Sequence, residues 1–324
     1  MAMLVILYEE FNSIRRIIGE RRVTTRRSKL IPVEEALSAL RPGHVIAIGG
    51  SLFHNKPMHL VREIVRRKLK DLVVIGVPQA SLDIDLLIAG GCVAEVRAPY
   101  MGFDHLGLAP SFRRAAASGG VRIWECDETQ LLTGLEASAK DLPSGLVKAG
   151  VGTDVPSFNP DLKVIDDPVT GEPVIAVGAI RPDFAFLHAA AGDIYGNLSY
   201  AGYPFGDQLI AEATKRGGGT VVASVDEVVS LSHAAADPRR TEIAHMLVDA
   251  VVEAPYGAHP CSSHGVYQFD EDGLKTYLAA ANSGPADLQA YMDATVFGPR
   301  SQVEYLDAHV KPSTLVTMRR AIHA

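Results

Sequence analysis

The chain has 324 residues, 47% of them hydrophobic and 21% charged, with a formal net charge of −7. That is enough to bury a large core, as one big α/β domain or a big domain with a small satellite. It carries no long basic stripe, which argues against a nucleic-acid partner, and no apolar run near the roughly 20 residues of a membrane span.

The first thirty residues stand apart. An apolar run at 3–8 is followed by Arg15, Arg16, Arg21, Arg22, Arg26, Arg27 and Lys29. A signal peptide has the reverse order, charge before apolar run. Residues 1–30 are therefore expected to be a flexible extension, and the protein to be soluble and cytoplasmic. From Pro32 a helix starts, ended by Arg41-Pro42-Gly43. Residues 45–48 read as a buried strand that runs into Gly49-Gly50-Ser51. A helix at 58–68 follows, with Met58, Val61, Ile64 and Val65 on one face. A strand at 72–77, a helix near 84–89, and strands at 93–97 and 121–125 come next. Strands alternating with helices imply a mostly parallel sheet covered on both faces, a three-layer αβα sandwich.

Residues 142–173 are rich in Pro, Gly, Asp and Asn. Asp167-Pro168-Val169-Thr170-Gly171-Glu172 reads as a turn between strands at 163–165 and 174–177. Residues 142–177 are thus expected to be a small β excursion or lid. The α/β rhythm returns with a strand at 184–188, a helix at 208–215 and a strand at 220–225. Residues 243–254 are apolar and ambiguous, and the chain is helical from Glu271. The main domain is taken as 31–310 and the tail as 311–324. Cys92, Cys126 and Cys261 are far apart and outside any zinc spacing, so they read as reduced thiols with no metal expected.

Five stretches can carry chemistry. Gly49-Gly50 after the first strand lets a backbone approach a ligand and leaves amides for an anion, or is simply a tight turn. No GK[ST] follows, so it is not a P-loop. Asn55 and Lys56, at the start of the next helix, are placed to meet a phosphate or a thioester carbonyl. Tyr100-Met101-Gly102-Phe103-Asp104-His105 follows a strand, where open α/β sheets hold ligands; Asp104 and His105 are its candidate contacts. At Trp124-Glu125-Cys126-Asp127-Glu128, Asp127 caps the next helix and Glu128 suits its dipole. Glu128 is equally placed to act as a base or nucleophile. Asp193-Ile194-Tyr195-Gly196-Asn197 is a turn signature, and His259 is favoured as a structural hydrogen-bonding residue.

Together these segments resemble the A subunit of the glutaconate CoA-transferase family, from about residue 31 to 310. The match rests on Gly49-Gly50 with Lys56-Pro57-Met58, Gly107-Leu108-Ala109-Pro110-Ser111-Phe112-Arg113-Arg114, Glu128 with Gly134-Leu135, Gly150-Val151-Gly152-Thr153-Asp154, Arg181-Pro182-Asp183, Gly196-Asn197 and Ala254-Pro255-Tyr256-Gly257-Ala258-His259-Pro260. The resemblance implies an open α/β fold and a complex with a B subunit, αβ or α2β2. It implies CoA transfer from an acyl-CoA to a carboxylic acid, with coenzyme A as substrate and no other cofactor. The glutamate nucleophile would stand on the B subunit, and this chain would supply pocket walls and donors at Gly49, Gly50, Asn55, Lys56, Asp104 and His105.

The chain also resembles the A subunit of the ring-opening CoA hydrolase of steroid degradation, through Lys56-Pro57-Met58, Asp127-Glu128 and Val252-Glu253-Ala254-Pro255. There the base is an A-subunit glutamate that aligns with Glu128. The loop at 100–110 departs from that branch. A non-catalytic acyl-CoA-binding protein is the third reading.

Overall fold

The computed structural model describes residues 26–231 and 237–322. Most of the expected extension, residues 1–25, lies outside the described residues. The chain enters the fold before residue 31. The Lys29 amide donates to Ile194 O at 2.7 Å, and Lys29 O accepts from Val251 N at 2.8 Å. The Lys29 ammonium also reaches the carbonyls of His245 and Val248, each at 2.6 Å.

The central sheet has seven parallel strands. They are β1 (Val45–Ile48), β2 (Leu72–Gly76), β3 (Val93–Arg97), β4 (Arg122–Ile123), β8 (Phe184–Asp193), β10 (Thr220–Val229) and β11 (Ala250–Glu253). Their order across the sheet is β11-β10-β8-β1-β2-β3-β4. The short β9 (Leu198–Ser199) pairs antiparallel with the far end of β8. The ambiguous run at 243–254 thus holds strand β11. β8 and β10 outrun the expected 184–188 and 220–225, because their ladder continues through Glu227↔Ala191 to Val229↔Asp193. β4 is shorter than expected, an edge strand of two exposed residues.

Strand alternation makes the three layers. Ile46, Ile48, Val74, Phe184, Phe186, Val222 and Val252 face one core. Ala47, Ile75, Ala185, Leu187, Ala223 and Val251 face the other. A period of two forces this split wherever both sheet faces are buried. The first core is closed by helices Met58–Arg66 and Leu82–Ala89 and by the C-terminal helices, including Met318 from Pro312–Arg320, within the segment expected to be a tail. The second is closed by helices Glu128–Ala139 and Asp207–Arg216. Residues 144–178 form a separate antiparallel sheet of β5 (Ser144–Val147), β6 (Leu162–Asp166) and β7 (Pro173–Gly178), with β7 in the middle. Its buried Leu162, Ile175 and Val177 join Leu131 and Leu135 of helix Glu128–Ala139.

The chain order sets where a ligand can sit. From β1 it runs outward through β2 and β3 to β4, then returns to β8 and runs the other way to β11. The direction reverses between β1 and β8, and open α/β sheets bind ligands at the carboxyl ends of the strands flanking such a reversal. Among the described residues no helix is long and apolar enough to cross a membrane.

One buried carboxylate ties three helices together. Asp85 accepts from the amide of Phe112 at 2.7 Å and from Tyr277 OH at 2.6 Å, and from the Ser111 amide at 3.3 Å. Tyr277→Phe leaves a buried carboxylate oxygen short of a donor, and is expected to cost about 1–3 kcal/mol in denaturant unfolding. An unchanged midpoint would show that the tie contributes nothing.

Candidate functional site

β1 ends in Gly49-Gly50 at the reversal. The Gly49 amide extends the ladder to Phe186 O at 2.9 Å. A Cβ at Gly49 would sit 2.5 Å from Asp207 Oδ1, so only glycine lets helix Asp207–Arg216 approach. Gly50 has φ +73° and turns the chain, with its amide donating to Asp207 Oδ1 at 2.6 Å. Tyr200 OH holds the other oxygen of Asp207 at 2.8 Å. Burial raises Asp207 to about 6, opposed by these two hydrogen bonds.

The amides expected to be open are in use. Ser51 donates to His54 O at 2.9 Å, Leu52 to Gln79 O at 3.1 Å, His54 to Ser51 O at 2.8 Å and Asn55 to Ser262 O at 2.7 Å. The turn is a folded object, not an open anion cradle. Lys56 also departs from expectation. It is fully buried beneath the turn, its ammonium 3.0 Å from Asp83 Oδ2, 2.9 Å from Gln79 O and 3.3 Å from Gly50 O. A charge satisfied on three sides and shut from solvent does not reach a ligand; it props the turn. Asn55 (φ +54°) is buried and braces two loops, donating to Tyr203 O at 3.0 Å and accepting from the His264 amide at 2.8 Å.

The mouth above the turn is built from residues that the sequence does not single out. His54, Phe205 and His264 pack together. His54 is stacked on Phe205 at 5.9 Å and edge-on to His264 at 5.3 Å. Tyr203, beside Phe205, is 64% exposed. Ser262 Oγ lies 2.6 Å from His54 Nδ1 and 3.1 Å from Phe53 O, and holds the ring in place. Burial, and then His264, lowers the pKa of His54, which keeps it neutral. His264 Nδ1 accepts from the Tyr203 amide at 2.8 Å, so its proton is on Nε2. The two rings stand side by side, and His264 brings a donor nitrogen.

The loop after β3 joins this mouth through Phe53. Phe53 lies 6.1 Å from Phe103 and 6.4 Å, edge-on, from His105. Asp104 and His105 are exposed on a single 3₁₀ turn, Asp104–Leu106, and His105 Nε2 is 4.0 Å from Glu271. Glu128 is on the same edge of the sheet, after β4. It begins helix Glu128–Ala139 behind the Asp127–Gln130 capping box, exposed at the end of β4. β4 is three strands from β1, about 14 Å at ~4.8 Å per strand. The structure thus brings Gly49, Gly50, Asn55, Lys56, Asp104 and His105 to one neighbourhood, while Glu128 follows β4, three strands from β1. His259 is buried between Tyr305 OH at 2.9 Å and Asp270 at 3.0 Å. Asp193 closes the Gly196-Asn197 turn by accepting from the amides of Tyr195 and Asn197. Among the described residues no group of three His, Cys, Asp or Glu is disposed to hold a metal ion.

Two substitutions test the props of the turn. Lys56→Ala strands the Asp83 carboxylate and is expected to cost about 3–5 kcal/mol, read as a shift of the unfolding midpoint; a shift near zero would remove Lys56 as a prop. Asp207 holds its proton more tightly folded (about 6) than unfolded (3.8). The stability this gives is fully present below pH 3.8 and lost as pH rises through about 6. Asp207→Asn cannot titrate, so its stability relative to wild type should rise across that window and then level off. A difference that does not change with pH would contradict the burial effect.

Comparison with known proteins agrees with this geometry. The coenzyme A transferase family model matches residues 31–254. The cholesterol ring-cleaving hydrolase IpdA subunit of Mycobacterium tuberculosis is 35% identical over 268 residues, covering 79% of this chain and 89% of that one. The A subunit of glutaconate CoA-transferase from Acidaminococcus fermentans is 31% identical over 298 residues, covering 86% and 91%. The crystal structure of that organism's glutaconate coenzyme A-transferase superposes with a TM-score of 0.84 at 28% identity, covering 90% and 96%. A relative from Archaeoglobus fulgidus is 34% identical over 90% of this chain, which spans 64% of that relative's length. With two thirds of its residues under the family model and relatives above 30% identity on both sides, the chain belongs to the coenzyme A transferase family, among its A subunits.

Proposed function

We propose that this chain is the A subunit of a two-subunit CoA-transferase of the cytoplasm, moving CoA between an acyl-CoA and a carboxylic acid. One observation carries the reading: Asp207 and Asp83, the carboxylates that hold the turn at the strand reversal, are fully buried and engaged, so neither is free to act as the nucleophile. The exposed Asp104 sits on the neighbouring loop, 3.7 Å from His105. What the chain offers is a wall with a hydrogen-bond donor, which suits a nucleophile brought by a B subunit. Its glutaconate CoA-transferase relative is an A subunit, and so is a relative from a 3-oxoadipate CoA-transferase.

In this reading a partner glutamate attacks the thioester carbonyl. The C–S bond breaks, leaving a mixed anhydride and the CoA thiolate. The thiolate attacks the glutamyl carbonyl, forming a glutamyl thioester and releasing the first acid. The acceptor carboxylate attacks that thioester in turn, and CoA returns to the new acyl group. Each addition puts negative charge on a carbonyl oxygen. His264 Nε2–H, held in that tautomer by the Tyr203 amide, is the donor this chain supplies. The buried Lys56 and Asn55 hold the turn that carries His54, and Asp104 and His105 flank the acyl end.

A second reading has its own support, in the 35% identity to a ring-cleaving hydrolase subunit. There Glu128 would be the base of a CoA-dependent C–C hydrolysis. The two readings separate in one experiment on the co-purified A–B pair, given acyl-CoAs with and without an acceptor acid. Transfer predicts new thioester only with acceptor, and less than about tenfold loss in Glu128→Gln. Hydrolysis predicts product without acceptor and a loss of about 10²–10⁴-fold on the same change.

A further inference from the structure

A groove of about 660 Å³ opens on the flank of the molecule. It lies between the segment leading into helix Val33–Ala36, helix Met58–Arg66, the end of β11 and the start of helix Gln302–His309. Its lining shares no residue with the glycine turn or the histidine mouth. One part of it is hydrocarbon, from Ile31, Val33, Val252 and Val303.

The other part is polar and incomplete. Arg66 donates through Nε to Val296 O at 2.6 Å and through Nη1 to Glu63 at 2.9 Å, but its buried Nη2 has no partner. His59, only 5% exposed, has a buried Nδ1 that is also without a partner. Its own burial, and then Arg62 and Arg66, push its pKa down to about 3, so the ring is neutral, with a hydrogen bond to Gln302 opposing the shift. Ser301 caps the Glu304 amide at 3.1 Å, which leaves the amides of Gln302 and Val303 without an intrahelical acceptor. Arg300 is exposed on the rim.

An unpaired Arg66 donor and the free amides at the helix start belong to the lining of one cavity, and such donors favour an anion. Glu34 and Glu253 on the same rim disfavour a multiply charged one. The hydrocarbon wall calls for an apolar body next to a single charge. We propose that this groove binds a small aliphatic monocarboxylate, its head on Arg66, His59 and the helix start, and its chain along Val33 and Val252. The site is separate from the reacting wall and does not depend on which reaction the enzyme performs.

Hexanoate is the probe, titrated calorimetrically into the full chain with its partner, beside hexan-1-ol and inorganic phosphate. Saturable hexanoate binding is expected, with phosphate at least tenfold weaker and the alcohol not measurable. Arg300→Glu and Val303→Trp, both at exposed positions, should each weaken hexanoate at least fivefold without moving the unfolding midpoint. No saturable binding, phosphate binding as tight as hexanoate, or full affinity in either variant overturns the proposal; the last outcome would place hexanoate in the reaction site instead. Should a variant unfold, a crystal soaked with hexanoate decides. Density against Arg66 upholds the site, and density only elsewhere refutes it.

Discussion

The hydrogen bond from the Gly50 amide to the buried carboxylate of Asp207 joins the two halves of the sheet. Gly50 ends the strand from which the chain runs one way, and Asp207 opens the helix of the half that runs the other. A neutral acceptor could hold the amide. A carboxylate also takes the phenol of Tyr200, and so locks β9, the helix and the turn into one body. The cost is a buried acid raised to about 6, borne where the fold needs a fixed wall.

Beneath the turn the Lys56–Asp83 pair repeats the pattern with opposite charges. Neither side chain is exposed. Buried pairs rarely add net stability over an apolar pair, but they fix one arrangement and penalise any that separates them. The lysine spans Gly50 O and Gln79 O, so the loops after β1 and β2 move together or not at all. The turn is then rigid, while the two imidazoles stand half-buried above it.

The layered fold was legible because its signals are local. The runs at 45–48 and 72–77 are apolar and rich in Val and Ile, the run at 93–97 carries two Val, and all three, closed by Gly or Pro, formed strands close to the expected limits. The ends of β8 and β10 were not legible, since their last residues are held by pairing to each other across the chain rather than by composition. At the site, the glycine turn could be found from its composition, and its neighbours could not. Asp207 is separated from Gly50 by 157 positions and Tyr203 from His264 by 61. Lys56 read as a ligand because a lysine at a helix start is usually wet. What put it in the core was Asp83, whose position under the same turn depends on the packing of helix Leu82–Ala89.

The mouth draws on distant parts of the chain. His54 follows β1, Phe205 precedes helix Asp207–Arg216, and His264 and Phe269 come after β11. A rim gathered from three separate segments exists only once both halves of the sheet have come together, so its geometry reports the finished fold rather than any one part of it.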